Sequence, residues 1–146
     1  MGTRSTISIA NHDGTVHSVY CNWDGYLSYN GAMLSQHYAT RALVNVLISH
    51  RAISSLRKEI GEHHNMRNSR ISSEAPAKDW TKFYHRDGNE ELSIETYSSR
   101  EDFLKNCEFQ EYNYLFDLDD VWYVDRGQHD SAFIPVAFAM LAVETG

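Results

Sequence analysis

The chain has 146 residues, of which 42% are hydrophobic, 12% aromatic and 23% charged, with a formal net charge of −7. That length suits one domain, 1–146, and the aromatic content supports a packed core, which excludes whole-chain disorder and collagen-like, mucin-like or coiled-coil classes. Two cysteines, Cys21 and Cys107, exclude a disulfide scaffold and an all-cysteine zinc site.

No run reaches the roughly 18 consecutive apolar residues of a membrane span, and the most apolar stretch, 132–143, is shorter than that. The opening MGTRSTISIANHDG lacks the apolar core of a secretory signal. Gly2 and Thr6 fit a bare myristoylation pattern, but no polybasic segment follows to supply a second anchor. The expected setting is a reducing cytoplasm without membrane contact. Charge is unevenly placed: residues 1–86 carry ten Lys/Arg against six acids, and residues 87–130 carry thirteen acids against three bases. An acidic second half argues against direct nucleic-acid binding. It fits a partner with a basic surface, found by electrostatic steering, or an ordinary solvated face.

Residues 6–9 and 16–20 flank Asn11-His12-Asp13-Gly14, and an Asp-Gly pair between such runs predicts a hairpin. An aromatic loop follows, Cys21-Asn22-Trp23-Asp24-Gly25-Tyr26, with a second tight turn at Asp24-Gly25. Asn30 is placed to cap a helix opening at Gly31 or Ala32. Over 33–50, Leu43, Val46 and Leu47 keep the spacing of a buried helical face, and Tyr38-Ala39-Thr40 is a break point. Residues 53–60 predict a further helical turn or two, stopped by Gly61. Periodicity is then lost, and 61–79, which holds Pro76, reads as a long mobile surface loop. Residues 80–85 and 91–97 flank Arg86-Asp87-Gly88-Asn89 as a second hairpin. Ser99-Arg100-Glu101-Asp102 has capping-box spacing and predicts a helix over 100–106. Residues 111–116 and 121–125 form a third hairpin around Asp117-Leu118-Asp119-Asp120, with Tyr112, Tyr114 and Phe116 on one face. Pro135 suits the first turn of a last helix, so apolar that burial on all sides is expected. The pattern predicts an α+β fold: an antiparallel sheet of five or six strands built from hairpins, with helices packed on one face.

Enzyme signatures are missing. The eight histidines include no H-E-x-x-H and no zinc-finger spacing, and His63-His64 are neighbours in the polar loop. His129-Asp130-Ser131 is a single His-x-Ser where a two-histidine phosphodiesterase needs a pair. Asp117, Asp119 and Asp120, with Asp125 nearby, lack the spacing of a calcium loop, so turn chemistry is the simpler account. There is no nucleophile elbow, P-loop or dinucleotide fingerprint. His17 and Cys21 stand about 13 Å apart on one strand face, beyond pairing distance. No cofactor, metal or catalytic residue is expected from these patterns, though a site assembled across the fold stays open.

Two features carry the binding expectation. Trp23, Asp24 and Tyr26 sit together on a loop with Tyr29 nearby, as amphipathic anchors for a partner or with Trp23 folded back as core. The stretch 108–125 holds six acids and no base: Glu108, Glu111, Asp117, Asp119, Asp120 and Asp125. Interleaved with aromatics on a strand, these acids make one face acidic, a solvated surface or an imitation of a phosphate array.

The opening Gly2-Thr3-Arg4-Ser5-Thr6-Ile7, the segment Tyr20-Cys21-Asn22-Trp23-Asp24-Gly25-Tyr26 and Asn30-Gly31-Ala32-Met33-Leu34-Ser35-Gln36-His37-Tyr38 together resemble a group of small tailed-bacteriophage accessory proteins. The resemblance covers residues 2–38, departs at Asn22 and Leu27 where that group has His and Pro, and carries no catalytic residue over. It implies a virus-encoded protein acting in the bacterial cytoplasm. The leading expectation is an inhibitor of a host defence or nucleic-acid-handling protein, anti-CRISPR-like, with no direct nucleic-acid contact and with homo-oligomerisation left open. A small enzyme or sponge for a signalling nucleotide, contacting phosphates through His63, His64, Arg67 and Arg70, is the second reading. A phage structural or assembly component is the third.

Overall fold

A computed structural model describes residues 3–61, 79–88, 93–125 and 133–145. The loop expected over 61–79 falls, from 62 to 78, outside the described residues, as do His129 and Ser131. In chain order the elements are β1 (Ser5–Ala10), β2 (Val16–Cys21), a π-helical turn (Leu27–Gly31), α1 (Ala32–His37), α2 (Arg41–Ser49) and β3 (Ile53–Ser55). They continue with β4 (Lys82–Phe83), α3 (Tyr84–Gly88), β5 (Glu95–Tyr97), α4 (Arg100–Asn106), β6 (Tyr112–Phe116), β7 (Trp122–Asp125), β8 (Ile134–Pro135) and α5 (Val136–Thr145).

All six residues of β1 are buried, so the strand needs a neighbour on each edge and cover on each face. Its hairpin partner β2 takes one edge, with Ile7 opposite Val19. The turn between them is the one the sequence predicts: Gly14 stands at φ +97°, and the Asp13 carboxylate accepts the Thr15 N–H at 3.0 Å. The other edge is taken by β6, running parallel with Ile7 opposite Tyr114. β6 forms the expected hairpin with β7, and β8 extends it. The outer edge of β2 is divided: β5 pairs antiparallel with Val16–Ser18, and β3 pairs parallel at Cys21, with β4 beyond it.

The fold is α+β, but among the described residues the sheet has eight strands and is mixed, where the sequence predicts five or six antiparallel ones. The difference lies in the parallel pairs β1–β6 and β2–β3. Strands far apart in sequence leave no turn signal when they pair. Alternation along β1 sends Ile7 and Ile9 to one face and Ser8 and Ala10 to the other. The first face packs with Val19, Tyr114, Phe116 and Val124 under Leu34 of α1, Leu47 of α2 and Ala139 of α5. The second carries Ala10, Val16 and Leu115 against Phe103 of α4. Phe103 makes edge contacts with Tyr97 and Phe109. Helices therefore lie on both faces, not one.

Some expectations that rest on a capping or turn residue hold, and others change where packing decides. Ser99 caps α4 by accepting the Asp102 N–H at 2.9 Å. Thr40 caps α2 and separates it from α1, as the break point predicts. The buried stripe of α2 is Val44, Leu47 and Ile48, whereas Leu43 and Val46 face out. Either triplet satisfies helical spacing, and contact with Ile7 and Ile9 selects one. The expected helical turn after residue 53 is strand β3. Among the described residues the second hairpin does not form: β4 pairs with β3, β5 pairs with β2, and α3 lies at 84–88 where the turn is predicted to begin. There the Asp87 carboxylate accepts the Phe83 N–H at 2.9 Å and pairs with Arg86 at 3.0 Å. Arg86 also donates to the Ile60 and Thr81 carbonyls and lies over the Phe83 ring. α5 turns Val136 and Ala139 inward but leaves Phe138 and Leu141 exposed, against the expected all-round burial. Among the described residues no helix is long and apolar enough to cross a membrane.

Asn113 joins the two central strands. Its Oδ1 accepts from the Thr6 hydroxyl at 2.9 Å and the Gln110 N–H at 2.8 Å, and its Nδ2 donates to the Gln110 carbonyl at 2.9 Å. Asn113→Ala leaves these buried groups unpaired and is expected to cost about 2–3 kcal/mol in urea unfolding. A loss inside the surface range of about 0.5 kcal/mol would show that the β1–β6 pair does not depend on it.

Candidate functional site

The aromatic loop is held by its main chain. Asn22 and Trp23 donate to the Ile53 and Ser54 carbonyls at 3.0 and 3.1 Å, Gly25 donates to Thr3 O at 2.8 Å, and Asn30 donates to Asp24 O at 3.1 Å. From the core the Tyr114 hydroxyl donates to Gly25 O at 2.6 Å, and burial pushes that phenol far up, keeping the proton in place. Gly25 is required here, because a Cβ would stand 2.8 Å from Thr3 O and 2.9 Å from the Ser5 Cβ. Asp24 takes a left-handed conformation at φ +58°. Asn30 does not cap a helix. It is fully buried inside the π-helical turn, and its Nδ2 donates to Trp23 O at 3.2 Å and Ser5 Oγ at 3.3 Å.

On this frame Trp23 is 42% and Tyr26 38% exposed. Trp23 is thus not a core residue. Tyr29 meets Tyr26 edge-on at 6.4 Å, and the Tyr26 hydroxyl donates to Asp24 at 3.4 Å. The result is a small aromatic ledge on a fixed loop.

The acidic stretch is divided between the two ends of the sheet. Because β6 runs parallel to β1, its entry lies beside Ser5 and the aromatic loop, and its exit lies beside Ile9. Five residues of strand put those ends roughly 15 Å apart. At the loop end are Glu108 and Glu111, both exposed, and Asp125, buried with its carboxylate 3.5 Å from Asn113 Nδ2. At the far end are Asp117, Asp119 and Asp120, which bond within the chain. Asp117 caps the Leu118 N–H and pairs with Arg100. Asp119 accepts from the Tyr123 hydroxyl at 2.6 Å, and Asp120 pairs with Arg41 at 3.0 Å. Arg41 lies over the Phe116 ring and donates to the Ala10 and Asp117 carbonyls at 2.7 and 2.8 Å. The nine residues singled out in sequence therefore do not form one patch: Trp23, Asp24, Tyr26, Glu108 and Glu111 share an end, and the hairpin-turn acids belong to the other.

A feature without sequence signal is a cleft of about 610 Å³ on the second sheet face. Thr6, Ser18 and Tyr20 form its floor, Glu95 and Tyr97 of β5 one wall, and Cys107 and Glu108 after α4 the other. It is assembled from five separate segments, so no motif announces it. Burial raises the Cys107 thiol above its ordinary value and raises the neighbouring Tyr97 phenol, so both stay protonated at neutral pH. Among the described residues no three His, Cys, Asp or Glu side chains gather as metal ligands. His63, His64, Arg67 and Arg70 lie outside the described residues.

Burial pushes the Cys21 thiol up to about 11 and the Tyr38 phenol up to about 12. The unfolded chain ionises Cys21 nearer the ordinary 9.0, so this contribution to stability is whole below pH 9 and is lost as pH rises through 11. Unfolding free energy is expected to fall across that window, and less steeply in Cys21→Ser. Equal slopes would remove Cys21 from the titration. A thiol reagent on the native protein is expected to modify Cys107 first, with Cys21 reacting only on unfolding.

Comparison with protein families, curated proteins and solved structures finds no match to this chain.

Proposed function

We propose that this chain is a phage-encoded binding protein that blocks a host protein, a defence or nucleic-acid-handling factor with a basic surface, in the host bacterial cytoplasm. The observation that carries the reading is the pair Trp23 and Tyr26, 42% and 38% exposed on a loop tied by main-chain bonds and by Tyr114. Large amphipathic rings on a fixed backbone lose little entropy on docking and are enriched among residues that dominate binding energy. The likeness of residues 2–38 to tailed-phage accessory proteins supports the setting, and it spans this same loop. Glu108 and Glu111 share the loop's end of the sheet and supply negative charge for steering toward a basic surface.

The test is affinity capture from host lysate at low and high salt, followed by binding measurements on the protein retained. Trp23→Ala is expected to weaken binding by roughly 30-fold or more, the effect of a central anchor, with an unchanged melting temperature. A stable variant that binds as tightly as the parent overturns the anchor role. Glu108→Gln with Glu111→Gln is expected to slow association and flatten its salt dependence while leaving dissociation alone. Identical salt slopes would remove steering by these two carboxylates. Capture of no host protein at either salt would overturn the inhibitor reading.

A further inference from the structure

We infer that α5 docks against a second copy of the chain, each Phe138 ring entering a groove beside the same helix on the other copy. Residues 133–143 include no charged side chain, and a helix that is apolar on every side is one that is covered on every side. Its own domain covers one face: Val136 and Ala139 are buried, with Met140 packed beside them. Ala137, Phe138 and Leu141 make the opposite stripe, three and four residues apart along the helix surface. Phe138 is 65% exposed, more than any other large hydrophobic side chain among the described residues.

Two observations point to this chain as its own partner. The first is that a protruding ring and a ring-sized groove lie side by side. The groove, of about 220 Å³, is lined by Ala39, Phe116, Val121, Trp122, Val136 and Ala137. A cavity of about 150 Å³ suffices for benzene, so one phenyl ring fits. Its polar groups are provided for: Asp120 pairs with Arg41 at 3.0 Å, and Trp122 Nε1 donates to Tyr38 O at 2.9 Å. Ser35, the other polar member of the lining, is exposed. A two-fold axis midway between ring and groove carries each ring into the other copy's groove, the self-complementarity of an isologous interface. The second observation is charge. The chain carries −7, so two copies repel wherever their acidic surfaces meet. Around α5 that repulsion is weakest, since the helix stretch is uncharged and Arg41 neutralises the carboxylate at the groove. A basic partner gains nothing from this face. Exposed Val121 and Ile134 add apolar area to it. The patch supplies the core of a small interface and not the roughly 800 Å² per partner of a standard one. A reversible dimer is therefore expected, with a Kd of about 1–100 µM.

Sedimentation equilibrium of the full chain over about 1–300 µM tests this. A monomer–dimer equilibrium is expected, holding or tightening as salt rises from about 0.05 to about 0.5 M, because salt screens like charges and spares apolar contact. Phe138→Ala and Val121→Arg, both at exposed positions, are each expected to weaken dimerisation about tenfold or more, with circular dichroism unchanged. An equimolar mixture of the two variants is expected to associate several-fold more tightly than either alone, because it restores one intact ring-in-groove contact. If Val121→Arg does not fold, Phe138→Ala alone decides. A monomer throughout the concentration range overturns the proposal. A dimer that persists in Phe138→Ala does so too, as does a mixture no tighter than its components. A chain that stays monomeric and loses host-protein capture in Phe138→Ala gives the face to that protein and overturns the second copy equally. Trp23→Ala is expected to leave the dimer intact, so the loop and the helix stand or fall separately.

Discussion

A strand buried on both faces and both edges sets the terms for the rest of this molecule. β1 offers the sequence STISIA, six residues with no charge, and its hairpin with β2 satisfies only one of its edges. The main-chain groups on the other edge would be stranded without a second strand, at a cost of several hydrogen bonds. β6 meets that need from more than a hundred residues away, and the Thr6–Asn113 hydrogen bond locks the two together inside the sheet. Because that pairing is parallel, it decides which end of the third hairpin meets which end of the first.

The consequences reach the surface. Parallel alignment brings Tyr114 under the aromatic loop, where its hydroxyl holds Gly25, and it brings the hairpin-turn acids to Arg41 and Arg100 at the other end. One register therefore fixes an exposed aromatic ledge in place and consumes much of the nearby negative charge in internal pairs. Both pairs join one mostly buried side chain to one more exposed partner. Arg41 gains from a shared geometry, since one guanidinium serves two carbonyls, a carboxylate and the Phe116 ring. The acids left free for a partner, Glu108 and Glu111, are those that precede β6.

The division of β2's outer edge between β5 and β3 has a similar reach. Among the described residues β5 pairs with β2 as far as Ser18 and β3 pairs at Cys21, and the cleft is lined by residues on both sides of that junction. Polar side chains on the second face, such as Ser8 bonded to Ser18 at 2.8 Å, keep that half of the sheet from closing as an apolar core. The apolar cover contributed by Phe103 stops short of it.

Much of the local structure was legible in the chain because its causes are local. Asp13-Gly14 turns the first hairpin, Thr40 and Ser99 cap their helices through side-chain oxygens, and the alternation of Tyr112, Tyr114 and Phe116 marks a strand with one core face. The prominence of Trp23 and Tyr26 was also readable, but whether Trp23 faced core or solvent was not. That choice rests on the Tyr114 and Thr3 contacts to Gly25, made across the fold. Asp87 misled for the same reason: Asp-Gly reads as a hairpin turn until the carboxylate finds the Phe83 N–H and Arg86. The sequence by itself determined the Asp13-Gly14 turn, the hairpin of β6 and β7, the break between α1 and α2 and the Ser99 cap, since these follow from short-range sterics and hydrogen bonding. Only the tertiary structure decided the parallel partners, the helix stripe that packs, the separation of the acids from one another and the existence of the cleft, because each depends on pairing between segments whose nearness no local pattern encodes.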